Sequence, residues 1–312
     1  MDKDTHKPAF ETYQWNATSR SSFNLDFTQQ IGHDLPIAGV DIESIETESD
    51  PGQMEITYKP AFGIRAADNA HTYKTAIKEI AYQHNYKAQF MTKPKPDSLY
   101  GNRDRCNGAH LNHSLWDADG KTALFYDASS STGLSTVAQH WMAGILAHAP
   151  AMTLLHSPTI NCLGRHRMGS IMTPKNATWG FDNRSCLLRV KVAGQTSTYI
   201  EDRLGSSAGS PYLSLAGLII AGIDGIQRQL PLPRPITGSA FEENNLPPGT
   251  SRLPDTMKDA IQAFLEDKVV TEALGSDFVK AFIAAKMHEM QCEENAKAKG
   301  DEHWEQNYYA FL

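Results

Sequence analysis

The period of apolar and polar positions changes several times along the chain, and each change predicts an element. From Gln53 to Tyr58 the positions alternate. Met54, Ile56 and Tyr58 fall on one side, and Gln53, Glu55 and Thr57 on the other, the period-2 signature of a half-buried strand. The run Val40–Glu48 (VDIESIETE) reads as a strand before it, and the turn Ser49-Asp50-Pro51-Gly52 joins the two as a hairpin. A short helical stretch over Thr28–Leu35 leads into this pair. From Ala66 to His84 the period lengthens to steps of three and four (Ala66, Ala70, Tyr73, Ile77, Ile80, Ala81), which predicts a long helix with one buried face. Phe90 and its neighbours suggest a strand, and a polar Pro/Gly loop runs from Lys93 to about Arg105. Ala109–Trp116 (AHLNHSLW) alternates again.

A second helix is expected over Ser135–Ala149, burying Leu134, Val137, Trp141, Ile145 and Leu146. Thr178–Val192 and Gln195–Arg203 read as a strand pair joined through Ala193-Gly194. Ser210 at the N-cap and Pro211 at the first position start a helix that runs to about Gln229. Leu230–Pro254 is rich in Pro and Gly and reads as a crossing loop. Its PLPRP run (231–235) fits a plain linker better than a polyproline ligand. Helical patterns fill 255–298. Strands interleaved with long helices, most of them antiparallel in expectation, place the chain in the α+β class, with a curved antiparallel sheet backed by helices.

Composition narrows the function classes. The 312 residues carry 29 Lys plus Arg against 36 Asp plus Glu, a net charge of −7, with 40% hydrophobic residues. That content suits a packed soluble core, and the acidic sign argues against nucleic acid as the main partner. The longest apolar run, Leu213–Ile223, falls short of the roughly 20 residues that span a bilayer. The N-terminus MDKDTHKPAF lacks the apolar core of a secretory signal, so a cytoplasmic protein with no membrane partner is expected. Four scattered cysteines, without a C-x-x-C pair, suggest reduced thiols and no zinc site.

Alternation also gathers chemistry. Glu46 and Glu48 share one strand face, with Glu55 just beyond the turn. His110, Asn112 and Ser114 share a face of AHLNHSLW, and Tyr199, Glu201 and Arg203 share a face of STYIEDR. Carboxylates brought together in a cavity repel and lose hydration, which a divalent ion offsets. Three carboxylates with one imidazole suit Mg²⁺ or Mn²⁺ better than Zn²⁺. The same residues lining a solvated sheet face is the simpler reading of the spacing alone. Arg165, Arg167, Arg184, Arg189 and Arg203 form a cationic set whose planar guanidiniums suit carboxylate or phosphate, though a plain surface charge pattern is the simpler reading of the spacing alone. No Walker A loop or dinucleotide fingerprint is present.

Read together and in order, these segments resemble the catalytic domain of glutamine synthetase. The match is carried by ESDPGQMEI (48–56), AADNAHTYK (66–74), NGAHLNHSL (107–115), PTINCLGR (158–165), WGFDNRSCLLR (179–189) and IEDRLGSSAGSPYLSLAGLIIAGIDGI (200–226). The wording PGQMEI, FGIRAADNA and HSLWD is similar to the lengsin branch of that family. The resemblance implies a barrel-like funnel of antiparallel strands, with sites formed between neighbouring subunits of a homo-oligomeric ring. It implies Glu48, Glu55, His110 and Glu201 as metal ligands, and Arg165 and the Gly108 backbone at the substrate glutamate. Arg203 would hold the γ-carboxylate, Arg184 the transferring phosphoryl group, and Asn112, Ser114 and Arg189 would face ATP. In such a reaction ATP phosphorylates glutamate, and ammonia or another amine displaces the phosphate.

Departures from the family are as informative. The loop after Arg165, HRMGSIMTPKNAT (166–178), carries no acid where the family has a glutamate, and losing a positioned acid/base costs about 10²- to 10⁴-fold in rate. Tyr199 replaces an arginine, Ser210 replaces an asparagine, and Cys106 and Asn107 replace glycine and serine. The expected organisation is a polar segment at 1–39 and a catalytic domain at 40–312. The family's small β-grasp domain and its E-x-E strand are expected to be missing, so the chain reads as a fragment. The expected function is a family member with a partly retained site, weak or lost ligase activity and a structural or assembly role. An active ligase and an ATP/metal-binding module without turnover are the alternatives.

Overall fold

The computed structural model describes residues 25–48, 52–94, 106–167, 173–301, 304–310 and 312. The chain divides into two compact units, residues 1–90 with Leu312, and residues 91–311.

In the first unit, helix α1 (Leu25–Ile37) is followed by β1 (Ile42–Thr47), β2 (Met54–Tyr58) and helix α2 (Ile64–Gln83). The hairpin is antiparallel, as its turn predicts, and places Glu46 opposite Glu55. Phe27, Ile31 and Leu35, four residues apart on α1, pack with Ile77, Ile80 and Ala81 of α2, Val40 and Phe90. At the start of α2 the buried residue is Ala67 rather than Ala66. Phe90 is not part of a strand. It is buried beyond a single bridge residue, and its N–H donates to the carbonyl of Leu312 at 3.0 Å.

The second unit contains β3 (Leu111–His113), α3 (Thr136–His156), α4 (Ile160–Arg167), β4 (Trp179–Phe181), β5 (Leu188–Lys191), β6 (Tyr199–Asp202), α5 (Pro211–Gln227), α6 (Met257–Glu266), α7 (Lys268–Leu274) and α8 (Ser276–Ala298). The four strands lie in the order β3-β6-β5-β4. The β3–β6 and β5–β6 pairs are antiparallel, whereas β4 and β5 run parallel. That corrects the expectation of one strand over 178–192. The chain breaks at Asp182, in the left-handed region with φ 46°, and Asn183 replaces ladder bonds with local ones. Its Oδ1 accepts from the Ser185 N–H at 3.0 Å and from the Ser185 hydroxyl at 2.6 Å. The architecture is α+β, but the strands form a two-stranded and a four-stranded sheet, with no closed barrel among the described residues.

Helix α3 runs beyond the expected end at Ala149, through Pro150 to His156, because residues 151–156 are all buried and packing outweighs the hydrogen bond lost at proline. Ser135 caps it, accepting from the Ala138 N–H at 3.1 Å. Ser210 sits at the N-cap of α5 as expected, yet its side chain makes no capping bond. The inner sheet face (Leu188, Val190, Ile200) packs on Trp141, Met142 and Ile145 of α3 and on Leu218 and Ala221 of α5. Loop 230–254 covers the β4 edge. The Ile236 N–H donates to the Trp179 carbonyl at 2.8 Å, and the Trp179 indole donates to Pro233 O at 2.7 Å. The PLPRP run is therefore packed on its own sheet, as a linker would be.

Candidate functional site

The period that sends Leu188, Val190 and Ile200 into the core sends Arg189, Lys191, Tyr199 and Glu201 to the opposite face. Register places Arg189 and Asn112 on either side of Glu201, and Lys191 beside Tyr199. Glu201 is 7% exposed and is the hub of this face. It accepts from Arg203 Nη1 at 2.6 Å and from Arg189 Nη1 at 3.0 Å, and lies 2.9 Å from His110 Nδ1. Burial opposes its ionisation. The hydrogen bond from His110 and the charges of His110, Arg203 and Arg189 outweigh burial and hold the carboxyl far below the usual carboxylate range.

Arg165 arrives from α4 and is 2% exposed. Its Nη1 donates to the carbonyls of Gly205 and Leu204, and its Nη2 lies 3.4 Å from His110 Nε2. Its Nε is buried and has no hydrogen-bond partner among the described residues. A Cβ on Gly108 would stand 3.0 Å from Arg165 Nη2 and 3.2 Å from His110 Nε2, so glycine keeps the approach to both groups open. Desolvation, followed by the charges of Arg203 and Arg165, lowers the pKa of His110 against the pull of Glu201, although the ring keeps 32% exposure. A neutral His110 donates through Nδ1 to Glu201 and turns the Nε2 lone pair toward the Arg165 N–H.

The sum of these contacts is a cationic site. Arg165, Arg189 and Arg203 gather around His110 and Glu201, where Glu201 is the buried carboxylate that pairs with Arg189 and Arg203, and among the described residues Arg165 has only backbone carbonyls and an imidazole as hydrogen-bond partners. Such an excess recognises an anion, and planar guanidiniums favour carboxylate or phosphate.

For a divalent ion, Glu201 and His110 are the right kind of donors but too few. No group of three His, Cys, Asp or Glu side chains positioned to hold a metal occurs among the described residues. Both Glu201 oxygens are already engaged by arginine or histidine, so an ion there would share the carboxylate with guanidiniums.

Glu48 and Glu55 belong to the hairpin of the first unit, where Glu55 is exposed opposite Glu46. Within the second unit, not every expected site residue joins this group. Arg184 is exposed in the turn between β4 and β5, with no ion-pair partner among the described residues. Asn112 is exposed beside Glu201, and the Ser114 hydroxyl accepts from the Trp116 indole at 3.0 Å. Asp50, the side chain of Arg167 and residues 168–172 lie outside the described residues. His166, at the start of the acid-free loop, is buried and donates through Nδ1 to Pro174 O at 3.1 Å, closing the loop at its base. Desolvation and the charge of Arg165 push its pKa down to about 4, so it is a neutral structural tie and not an acid.

Residues that sequence reasoning missed lie at both sides of the sheet. Asp182 is 2.8 Å from Arg189 Nε and 3.1 Å from Lys191 Nζ. Behind the sheet, Asp202 accepts from the Leu204 N–H at 2.8 Å and lies 4.0 Å from buried His156. Position 202 alternates with 201 and 203, which was a usable signal for Asp202. The chain reversal that brings Asp182 back to β5 left none.

Comparison with known proteins identifies the family. The family model "Glutamine synthetase, catalytic domain" matches residues 2–306. Lengsin from Rattus norvegicus is 36% identical over 284 residues, covering 89% of this chain and 48% of that protein. Glutamine synthetase from Staphylococcus aureus is 36% identical over 256 residues, covering 81% of this chain and 55% of the enzyme. The chain thus spans about half the length of these curated relatives. Among solved structures, a GmaS complex with ADP superposes with a TM-score of 0.81 at 27% identity, covering 96% of this chain and 67% of that one. A structure described as a novel glutamine synthase homolog gives a TM-score of 0.82 at 27% identity, covering 98% and 68%. Matched over nearly its whole length, and with the buried arginine–carboxylate cluster falling on the motifs that suggested it, the chain belongs to the glutamine synthetase family.

Proposed function

We propose that this chain is a lengsin-like member of the family whose site binds carboxylate and phosphate anions while its ligase turnover is weak or lost. One observation carries the binding half of this reading: Arg165 is almost fully buried, yet among the described residues its only hydrogen-bond partners are two carbonyls and an imidazole. A guanidinium that has lost its water without gaining a carboxylate is built to receive one. In the proposed site Arg165 and the Gly108 backbone take the α-carboxylate of glutamate, and Arg203 takes the γ-carboxylate. Arg189, Asn112 and Ser114 face ATP, and Arg184 meets the transferring phosphoryl group. Glu201 and His110 would hold Mg²⁺ or Mn²⁺, and the resemblance gives Glu48 and Glu55 the role of metal ligands. When bound, the ion would neutralise charge on phosphoryl oxygens.

The catalytic half rests on residues 166–178, which supply no carboxylate, while His166 is neutral and committed to Pro174. That loop offers no carboxylate to take a proton from ammonium. The surviving role would then be structural, in a cytoplasmic homo-oligomer of the family's kind. The retained Arg189–Glu201–Arg203 cluster favours a second reading, an active ATP-dependent ligase for glutamate and ammonia or another amine, with the missing acid supplied elsewhere.

Calorimetry with glutamate and with ATP, alongside phosphate release in the presence of Mg²⁺, glutamate and ammonium, separates the two. Binding that Arg165→Met abolishes, without phosphate release, is the expected result. Turnover that Arg203→Ala removes would establish the active ligase, and absence of any binding would overturn both.

A further inference from the structure

The outer face of the sheet carries a contact that the reading above does not use. Arg189 and Lys191 stand two residues apart on the same face of β5, and both turn toward Asp182. Arg189 lies 2.8 Å from Asp182 Oδ1 through Nε and 2.5 Å through Nη2, while Lys191 Nζ lies 3.1 Å from the same oxygen. The remaining arm of Arg189, Nη1, reaches Glu201 at 3.0 Å. The two cations are unequally exposed, Arg189 at 13% and Lys191 at 31%, and the carboxylate between them is 67% exposed. It reaches them from a left-handed turn residue whose N–H donates to Val190 O at 2.9 Å.

We propose that Asp182 is a displaceable latch, a carboxylate of the chain's own that occupies the Arg189–Lys191 pair until a phosphate chain replaces it, with Lys191 a specificity residue for that ligand. Three features favour exchange over a fixed structural pair. The carboxylate is solvated, so leaving costs it little hydration, and an exposed ion pair is weak. The two cations meet one carboxylate oxygen, whereas a phosphate offers each of them its own, and guanidinium geometry suits that bidentate grip. Lys191 is the cross-strand partner of Tyr199, so the pair lies on the face that carries Glu201 and extends the cationic site along the strand. The hydrogen bond from Lys191, then that from Arg189, holds the Asp182 carboxyl below the usual range, so the latch is charged at neutral pH.

The inference rests on the reading of this face as an anion site, and the test keeps the two apart. Asp182→Asn removes the charge while retaining a residue that tolerates a left-handed backbone. Calorimetry compares tripolyphosphate, ATP and glutamate as titrants of the full chain, for the native protein, D182N, K191M and a distant control, Asp277→Asn. The latch predicts that D182N binds tripolyphosphate and ATP about two- to fivefold tighter, the size of one exposed ion pair. It predicts that K191M binds both more weakly by a similar factor, and that D277N matches the native protein. A stronger effect with ATP than with tripolyphosphate identifies a nucleotide as the source of the phosphates, and equal effects identify free polyphosphate. Native-like affinity in D182N, or an equal gain in D277N, overturns the latch while leaving the anion site standing. Absence of phosphate and glutamate binding in every variant overturns both.

Discussion

Gly144 on α3 and Gly32 on α1 are both helical glycines, and replacing each by alanine is expected to shift stability in opposite directions. Alanine improves the helix by about 0.8–1 kcal/mol over glycine, mostly by restricting the unfolded chain. Gly32 is exposed and nothing lies within 4 Å of the position a Cβ would take, so Gly32→Ala should gain close to that full amount. Gly144 faces α5. Its Cβ would stand 2.1 Å from the Ala221 carbonyl oxygen and 2.8 Å from Gly225 Cα, against the 3.4 Å of an ordinary contact. Both obstacles are backbone, and Gly225 faces an equally close approach to His140 O at 2.1 Å. Relief therefore requires the helices to part by about 1 Å, and they share Met142, Ile145, Leu218 and Ala221 in one core. Overpacking costs about 1–3 kcal/mol and occasionally more, and backbone-on-backbone crowding belongs at the upper end. Against the propensity gain, Gly144→Ala should lose about 2 kcal/mol. Urea unfolding followed by tryptophan fluorescence and far-ultraviolet circular dichroism measures this. With a slope of about 2 kcal/mol/M, the Gly144→Ala midpoint falls by about 1 M and the slope is unchanged. A Gly144→Ala protein as stable as the native one would refute the close helix crossing, and a destabilised Gly32→Ala would refute the open helix face.

Two further outcomes follow from the contacts. His148 lies 2.6 Å from Asp267 and 3.0 Å from Asp224, joining α3 to α5 and to the residue that caps α7. Burial lowers its pKa, but hydrogen bonds to Asp267 and Asp224 more than offset this and raise it above the ordinary histidine value. The stability it contributes is fully present below about pH 6.5 and is lost as pH rises through the raised value. His148→Gln should therefore cost more at pH 6 than at pH 9 in urea unfolding, and an equal cost at both would exclude the charged bridge. In the anion site, Gly108→Ala places a methyl group 3.0 Å from Arg165 Nη2. Glutamate affinity should drop about tenfold, some 1.4 kcal/mol, with the melting temperature near the native value, and unchanged affinity would remove Gly108 from the site.

How far the sequence reached can be judged element by element. The hairpin at 42–58, α2 and the start of α5 were legible because each is a local device: a Pro-Gly turn between alternating strands, a three-and-four period, and Ser210-Pro211 before an apolar run. The strand expected at 178–192 was misread because its apolar run hides a reversal at Asp182 that only Asn183's local hydrogen bonds reveal. The length of α3 was underestimated because Pro150 is a local stop signal overridden by burial on all sides.

For the site, the motifs named the partners of the cluster, Arg165, Arg189, His110, Glu201 and Arg203, since period 2 alone puts Glu201 and Arg203 on one face and the resemblance supplies the rest. What the sequence determined by itself was therefore which residues carry charge, which face of each strand they occupy, and the family they belong to. The tertiary structure decided how those charges pair: that Glu201 is shared by two arginines and a histidine, that Arg165 is buried against carbonyls, and that Asp182 folds back onto Arg189 and Lys191. The physical reason is range. Periodicity and turn chemistry act over a few residues, whereas Arg165 and His110 stand 55 positions apart in the chain and interact only because α4 and the sheet pack around a common core.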